Sequence, residues 1–512
     1  MAKTKLSISL LKDGVTQENA IKDGIGNIQL PNGNFLYYKH TNPRTPQWIN
    51  NFFGDAIQDA NQLMTKSVSA LIFFEVEVEE GNIRTFVICF GYGRNLLKPD
   101  VTERRFGLIT VLNQVDEEMI RSVDTSSLGA TPRNNRTQTS LLSNMIGFNI
   151  DTDKDILKSV AGKASENDYF SGMLSGTDVL SLSTDLNYDG MNEFLVNCYQ
   201  TYIRTDYRDK FPWIDKMTEI KDKNTIEGLV IDVLERLNMT ETENVWISIP
   251  EIVDYEMDYF KLQSDNHFSD LVIQNVKEEI QEEFTLELLK KKQVSCYSAD
   301  DNFIKSWSLY RCLYVEIRRG NDQYLLNDGK WYKVSSDFVQ ETNDYYQNIP
   351  LADIDLPNYA NNIHEDEYNQ DVCNNNGFCL MDKQLIRYGG SRIEFCDIYT
   401  GNRELIHVKK YKGSAVLSHL FFQGFVSAES FLESQFRGLV NEKMGQVGYG
   451  VHIPVNIDEF DPKRFTVIFA IAKNEQVVDG RKPDIPFFSK VSLKTVSNRL
   501  MHYGYNVKMK FI

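Results

Sequence analysis

The sequence predicts a mixed α/β (α+β) protein. It has an N-terminal mixed sheet domain over residues 1–164, a mainly helical segment over 165–295, and a C-terminal α/β domain over 296–512 in which helices flank a mixed sheet. Three observations predict it. Strand-like alternation fills the first third, as in "ALIFFEVEVEEGNIRTFVICFGYG". Apolar residues three and four apart dominate the middle, and the chain closes on a strand, a helix and a strand.

Taken in order, "KLSISLL" alternates as a strand, and the "ALIFF…" run is a hairpin turned at Glu-Gly-Asn. The apolar run in "RRFGLITVLNQV" reads as a further strand. Helices are expected at "MNEFLVNCYQTYI", "NTIEGLVIDVLERL" and "DLVIQNVKEEIQEEFTLELLKK", the last with an acidic outer face. "SLYRCLYVEIRRGNDQYLLNDGKWYKV" is a three-strand meander with Gly-Asn-Asp and Asn-Asp-Gly turns. "HEDEYN" and "SAVLSHLFFQGFVSAESFLESQF" read as helices on either side of a hairpin, "IEFCDIYTGNRELIHVKKY". The ending is a strand in "RFTVIFAIA", a helix in "KVSLKTVSNRLMHYG" stopped at Gly504, and a strand in "YNVKMKFI".

Composition bounds the function classes. With 512 residues, 42% hydrophobic, the chain fills the cores of several domains. No stretch approaches the about eighteen consecutive apolar residues of a membrane helix, and the N-terminus lacks a leader pattern, so a cytoplasmic protein without membrane contact is expected. Its seven Cys are scattered without a C-x-x-C pair, which argues against a disulfide framework or zinc site. A net charge of −17 argues against coating nucleic acid over the whole surface. A local basic groove is still allowed, and the segment holding Arg403, Lys409, Lys410 and Lys412 against Glu404 is its natural place.

The same segment carries the chemistry. With the hairpin turn near Gly401 and Asn402, partner numbers sum to about 803 or 804, which sets Asp397 opposite Ile406 or His407; His407 and Lys409 share a face. An Asp on one strand with His-x-Lys on the next resembles the PD-(D/E)xK core of restriction endonucleases, over roughly residues 360–440. That resemblance implies Asp397 and Glu365 as ligands of Mg²⁺ or Mn²⁺, with Glu365 or Glu367 on the preceding helix. It also implies Lys409 stabilising charge on phosphate or positioning water, His407 completing the site, and Gln423 contributing from the following helix. His407 stands where Asp or Glu is expected. Imidazole suits Mn²⁺ better than Mg²⁺, or serves as a base, so the departure leaves open a degenerate core that binds nucleic acid without cutting it. A structural ion pair between Asp397 and Lys409 accounts for the same residues.

Other chemistries fare less well. "HVK" is similar to the H-x-K of phospholipase D-like nucleases, but Ser414 occupies the place of their Asp and no second copy exists. No G-x-S-x-G occurs. "FGYGRNLL" lacks the Lys of a P-loop and a third Gly; it reads as a tight turn, with Arg94 as a phosphate contact in the sharper alternative.

Read whole, "FGYGRNLL", "RRFGLITVLNQVD", "RSVDTSSL", "IEFCDI…LIHVK…LSHLFFQG" and "IPFFSKVSLKTVSNRLMHYGYNV" resemble a family of sporadically distributed bacterial proteins of unknown function. Sporadic distribution implies an antiphage-defence setting by association. The expectation is a defence-associated nuclease or nuclease-like effector on DNA or RNA; the alternatives are a non-catalytic nucleic-acid or phage-protein sensor, and a scaffold for a partner defence subunit. A homo-oligomer is expected. Candidate nucleic-acid contacts are Lys410, Lys412, Arg403, Gln423 and Arg94.

Overall fold

A computed structural model describes residues 3–512 apart from 32, 58, 128–132, 140–147, 149, 166–168, 240, 241, 243, 248, 251–256, 270, 300, 361, 362, 412, 413 and 474. The protein is of the α+β class. It divides into two compact units, Met1–Ser126 with Asn135–Ile214, and Ser127–Asn134 with Asp215–Ile512. The division therefore falls inside the 165–295 segment. Among the described residues, no helix is long and apolar enough to cross a membrane.

Among the described residues, the first unit is built on a ten-stranded sheet. Its longest pair, Val68–Glu79 and Asn82–Phe90, is the hairpin expected from alternation, closed at Gly81 with φ +75°. "RRFGLITVLNQV" departs from its strand reading: Phe106–Gln114 is a helix with all nine residues buried. A helix covered on every side has no polar face, so the 3.6-residue period vanishes and only an apolar run remains to be read. Glycine makes the burial feasible. A Cβ on Gly107 would lie 2.1 Å from the Val179 carbonyl oxygen, and one on Gly176 2.1 Å from that of Gly107.

In the second unit the expected meander is present as Leu313–Arg319, Asp322–Asn327 and Lys330–Val334, within a five-stranded sheet. The long acidic helix expected at 270–291 is, among the described residues, two short ones, Ile273–Glu279 and Leu286–Lys291, the second capped by the Thr285 hydroxyl accepting from the Leu288 amide.

The C-terminal portion runs α1 (Glu365–Asn376), β1 (Cys379–Leu380), β2 (Leu385–Tyr388), β3 (Ser391–Glu394), β4 (Ile398–Tyr399), β5 (Glu404–Lys410), α2 (Ser414–Phe431), α3 (Ser434–Gln446), β6 (Thr466–Ala472), α4 (Phe487–His502) and β7 (Asn506–Phe511). Strands β1-β4-β5-β6-β7 form a mixed sheet in that order: the first three are antiparallel neighbours, and β5, β6 and β7 run parallel. β2 and β3 form a separate hairpin inserted between β1 and β4. Leu405, Val467, Phe469 and Ile471 pack with Leu420, Phe421 and Leu500 of α2 and α4, while Ile406, Val408, Ile468 and Ala470 pack with Tyr368 and Val372 of α1. Cover on both faces explains why β6 is continuously apolar.

Candidate functional site

The sheet opens beside β5. Strand β4 pairs with it for two residues only, Ile398 with Ile406 and Tyr399 with Leu405, a register summing to 804. "IEFCDIY" is not one strand, because Ser391–Glu394 turns back through Gly389 and Gly390 to pair with β2. Asp397 donates its amide to the Ile406 carbonyl (3.0 Å), and the backbones then part. Alternate amides of β5 face the vacated side. That of Val408 donates to Asp397 Oδ2 (2.6 Å), and that of Lys410 to Glu365 Oε2 (3.3 Å). Two carboxylates thus replace the missing strand's carbonyls, which keeps buried donors satisfied.

Carboxylates also gather around Asp397. Oxygens of Asp382, Glu394 and Asp397 lie within 4.8 Å of one another. The Asp397 carbonyl accepts from the amides of Met381 and Asp382 (2.9 and 3.0 Å), which fixes the β1–β2 connection against it. Glu394 Oε1 accepts from the Lys383 amide, and Oε2 from Gln423 Nε2 at 2.8 Å. Burial, reinforced by Glu394, Asp382 and Glu365, pushes the Asp397 carboxyl well above the usual range against the pull of the Val408 amide. Glu394 is raised too, by burial first and by Asp382 and Glu365 after it.

Of the residues singled out in sequence, Asp397, Glu365, Lys409 and Gln423 meet here. Glu365 is not among the three closest carboxylates; its Oε1 pairs with Lys409 Nζ at 2.5 Å. Burial draws the Lys409 ammonium down, but Glu365, with Asp397 and Glu394, outweighs it and holds the pKa above the ordinary value. His407 does not join the cluster. Its ring lies against α2 and Phe469, and a Cβ on Gly424 would sit 3.2 Å from His407 Cδ2 and 2.5 Å from Phe469. Burial lowers its pKa to about 4, and Nε2 has no partner among the described residues. Lys410 sets its ammonium over the Tyr359 ring at 5.4 Å. Arg403 lies in the turn before β5, roughly 20 Å from Lys410 along the strand, over Phe465. Arg94 belongs to the other unit, 3.8 Å from Asp178. Lys412 lies outside the described residues.

Asp382 and Glu394 escape a sequence reading because the whole β2–β3 hairpin separates them. The signal was nonetheless present: "LIRYGGSRIE" places Gly-Gly between strand-like residues, and an acid stands at or just before each end. Three hard oxygen donors, with the Lys409 ammonium already paired to Glu365, are a donor set that fits Mg²⁺ or Mn²⁺. The chain matches no curated protein and no solved structure. A family model described as a family of unknown function, DUF6119, matches residues 6–512, and the chain belongs to that family.

Proposed function

We propose that the opened sheet beside β5 is the active site of a metal-dependent nuclease. The observation that carries this reading is the order of parts: α1, the antiparallel strands β1, β4 and β5, then α2 and the parallel β6, with acids at the point where β4 leaves β5. The acid-bearing helix before the hairpin, Asp397 beside β4 with Lys409 on β5, and the helix that carries Gln423 after it are the parts the PD-(D/E)xK resemblance implies. Asp397, Glu394 and Asp382 would hold the ion, with Glu394 taking the part expected of His407. When bound, such an ion supplies Lewis acidity at a phosphoryl oxygen. Lys409, kept protonated by Glu365, offers charge to phosphate, and Gln423 orients Glu394. The sporadic distribution of the resembling family supports an antiphage-defence setting.

One observation favours the sensor alternative. The position of the expected second acid holds a buried imidazole turned from the carboxylates, which is what a core that binds without cutting would tolerate. The two readings separate on incubating purified protein with plasmid, linear DNA and RNA in Mg²⁺ or Mn²⁺, beside an Asp397→Ala, Lys409→Ala double variant. Cleavage by the parent alone is expected. Binding without product under either metal would leave the sensor.

A further inference from the structure

Beside the carboxylates, the β2–β3 hairpin and α2 enclose a hollow of about 490 Å³ that shares Glu394 and Gln423 with them. Its walls include Tyr388, Arg392, His419 and Phe422. Phe422 is 50% exposed, an aromatic face left to water beside a charged site. Farther along the same helix lies Phe425, its centroid 6.2 Å from that of Phe422, stacked on Tyr503 and covered by the Arg499 guanidinium.

The hairpin supplies a second, independent observation. Arg387 and Arg392 are direct cross-strand partners, both exposed, and no ion pair or hydrogen bond joins either to another described residue. Like charges set opposite each other destabilise a hairpin. Strand alternation puts both on the face that carries Glu394, about 6.6 Å farther along. A pair of forked cations held at a cost to the fold is a ready seat for a phosphate anion.

The geometry points to a substrate that is an unpaired nucleic-acid strand: a base in the hollow against Phe422, and the backbone phosphate on Arg387 and Arg392. In a duplex both faces of each base are covered by its neighbours, whereas an unstacked base presents a face to an aromatic side chain. The inference rests on the nuclease reading for the position of the reacting phosphate, but the strand grip is measurable without it.

The test uses the full chain in EDTA, with fluorescently labelled single-stranded DNA, single-stranded RNA and the matching duplex followed by anisotropy. Unpaired strands bind about tenfold or more tighter than duplex, and the DNA and RNA arms identify the source. Phe422→Ala weakens strand binding by roughly 5- to 100-fold. The Arg387→Ser, Arg392→Ser double variant weakens it and lowers the log–log salt slope by about 1.4, while its melting temperature stays level or rises. Duplex bound as tightly as single strands, or parental binding by both variants, overturns the inference. Cleavage, read separately with metal, keeps the two claims apart. Protein that grips strands through Phe422 yet cuts nothing sustains the inference and ends the nuclease reading; protein that cuts duplex and ignores both variants does the reverse.

Discussion

Asp397 accepts one backbone amide and is crowded by two other carboxylates, so its charge at neutral pH works against the fold. Its pKa is raised in the native state, which therefore takes up a proton before the unfolded chain does; acidification from neutrality relieves the strain until the unfolded group also protonates. Asn retains an oxygen for the Val408 amide and removes the charge. Asp397→Asn should melt above the parent in EDTA, and Mn²⁺ should raise the parent's melting temperature and leave the variant's where it was. Thermal scans with and without metal check this, and a metal-independent parent contradicts it. His407 has the opposite sign. Below 6.5 the unfolded chain protonates this side chain while the native state resists until about 4, so stability is lost across that window, by about 3 kcal/mol in all. His407→Leu should abolish that component. Melting temperatures of parent and variant followed from neutral pH to 4 should diverge, and parallel curves would contradict a neutral buried imidazole.

At the scale of elements, α4 shows what a sequence states openly. Its apolar residues Val496 and Leu500 face the sheet, and the chain leaves the helix through Gly504 at φ +97°, with the Tyr505 amide reaching back to the Leu500 carbonyl at 3.0 Å. A β-branched residue adopts that backbone only at a cost of about 1–2 kcal/mol or more, so Gly504→Val should lower the melting temperature by some degrees; an unchanged curve would contradict the assignment. Strands β5, β6 and β7 were legible for the same reason, since their signals are local. What was not legible depends on partners. Phe106–Gln114 hides its helical period by being buried all round. "IEFCDIY" looks like one strand until the inserted hairpin claims its first half, and no local rule says which partner wins. The candidate site inherits that blindness. Asp397, Glu365 and Lys409 could be chosen because a known motif spaces them, while Asp382 and Glu394 became neighbours only when the hairpin closed.

At the scale of the molecule, a chain of net charge −17 repels nucleic acid over most of its surface, so any grip has to be local. The C-terminal portion supplies a local arrangement: carboxylates where the sheet opens, Lys409 beside them, and an arginine-bearing hairpin at the rim. On the proposed reading, cutting and holding would fall to neighbouring but different residues. The most direct measurement is product formation from a labelled strand in Mn²⁺ by the parent and by Asp397→Asn, with binding by the same preparations read in EDTA. The expected result is cleavage by the parent and, in the variant, a rate reduced by about a hundredfold or more, with binding equal or tighter because a negative charge has left the path of the phosphate. Cleavage by Asp397→Asn at the parental rate would contradict the assignment of the site.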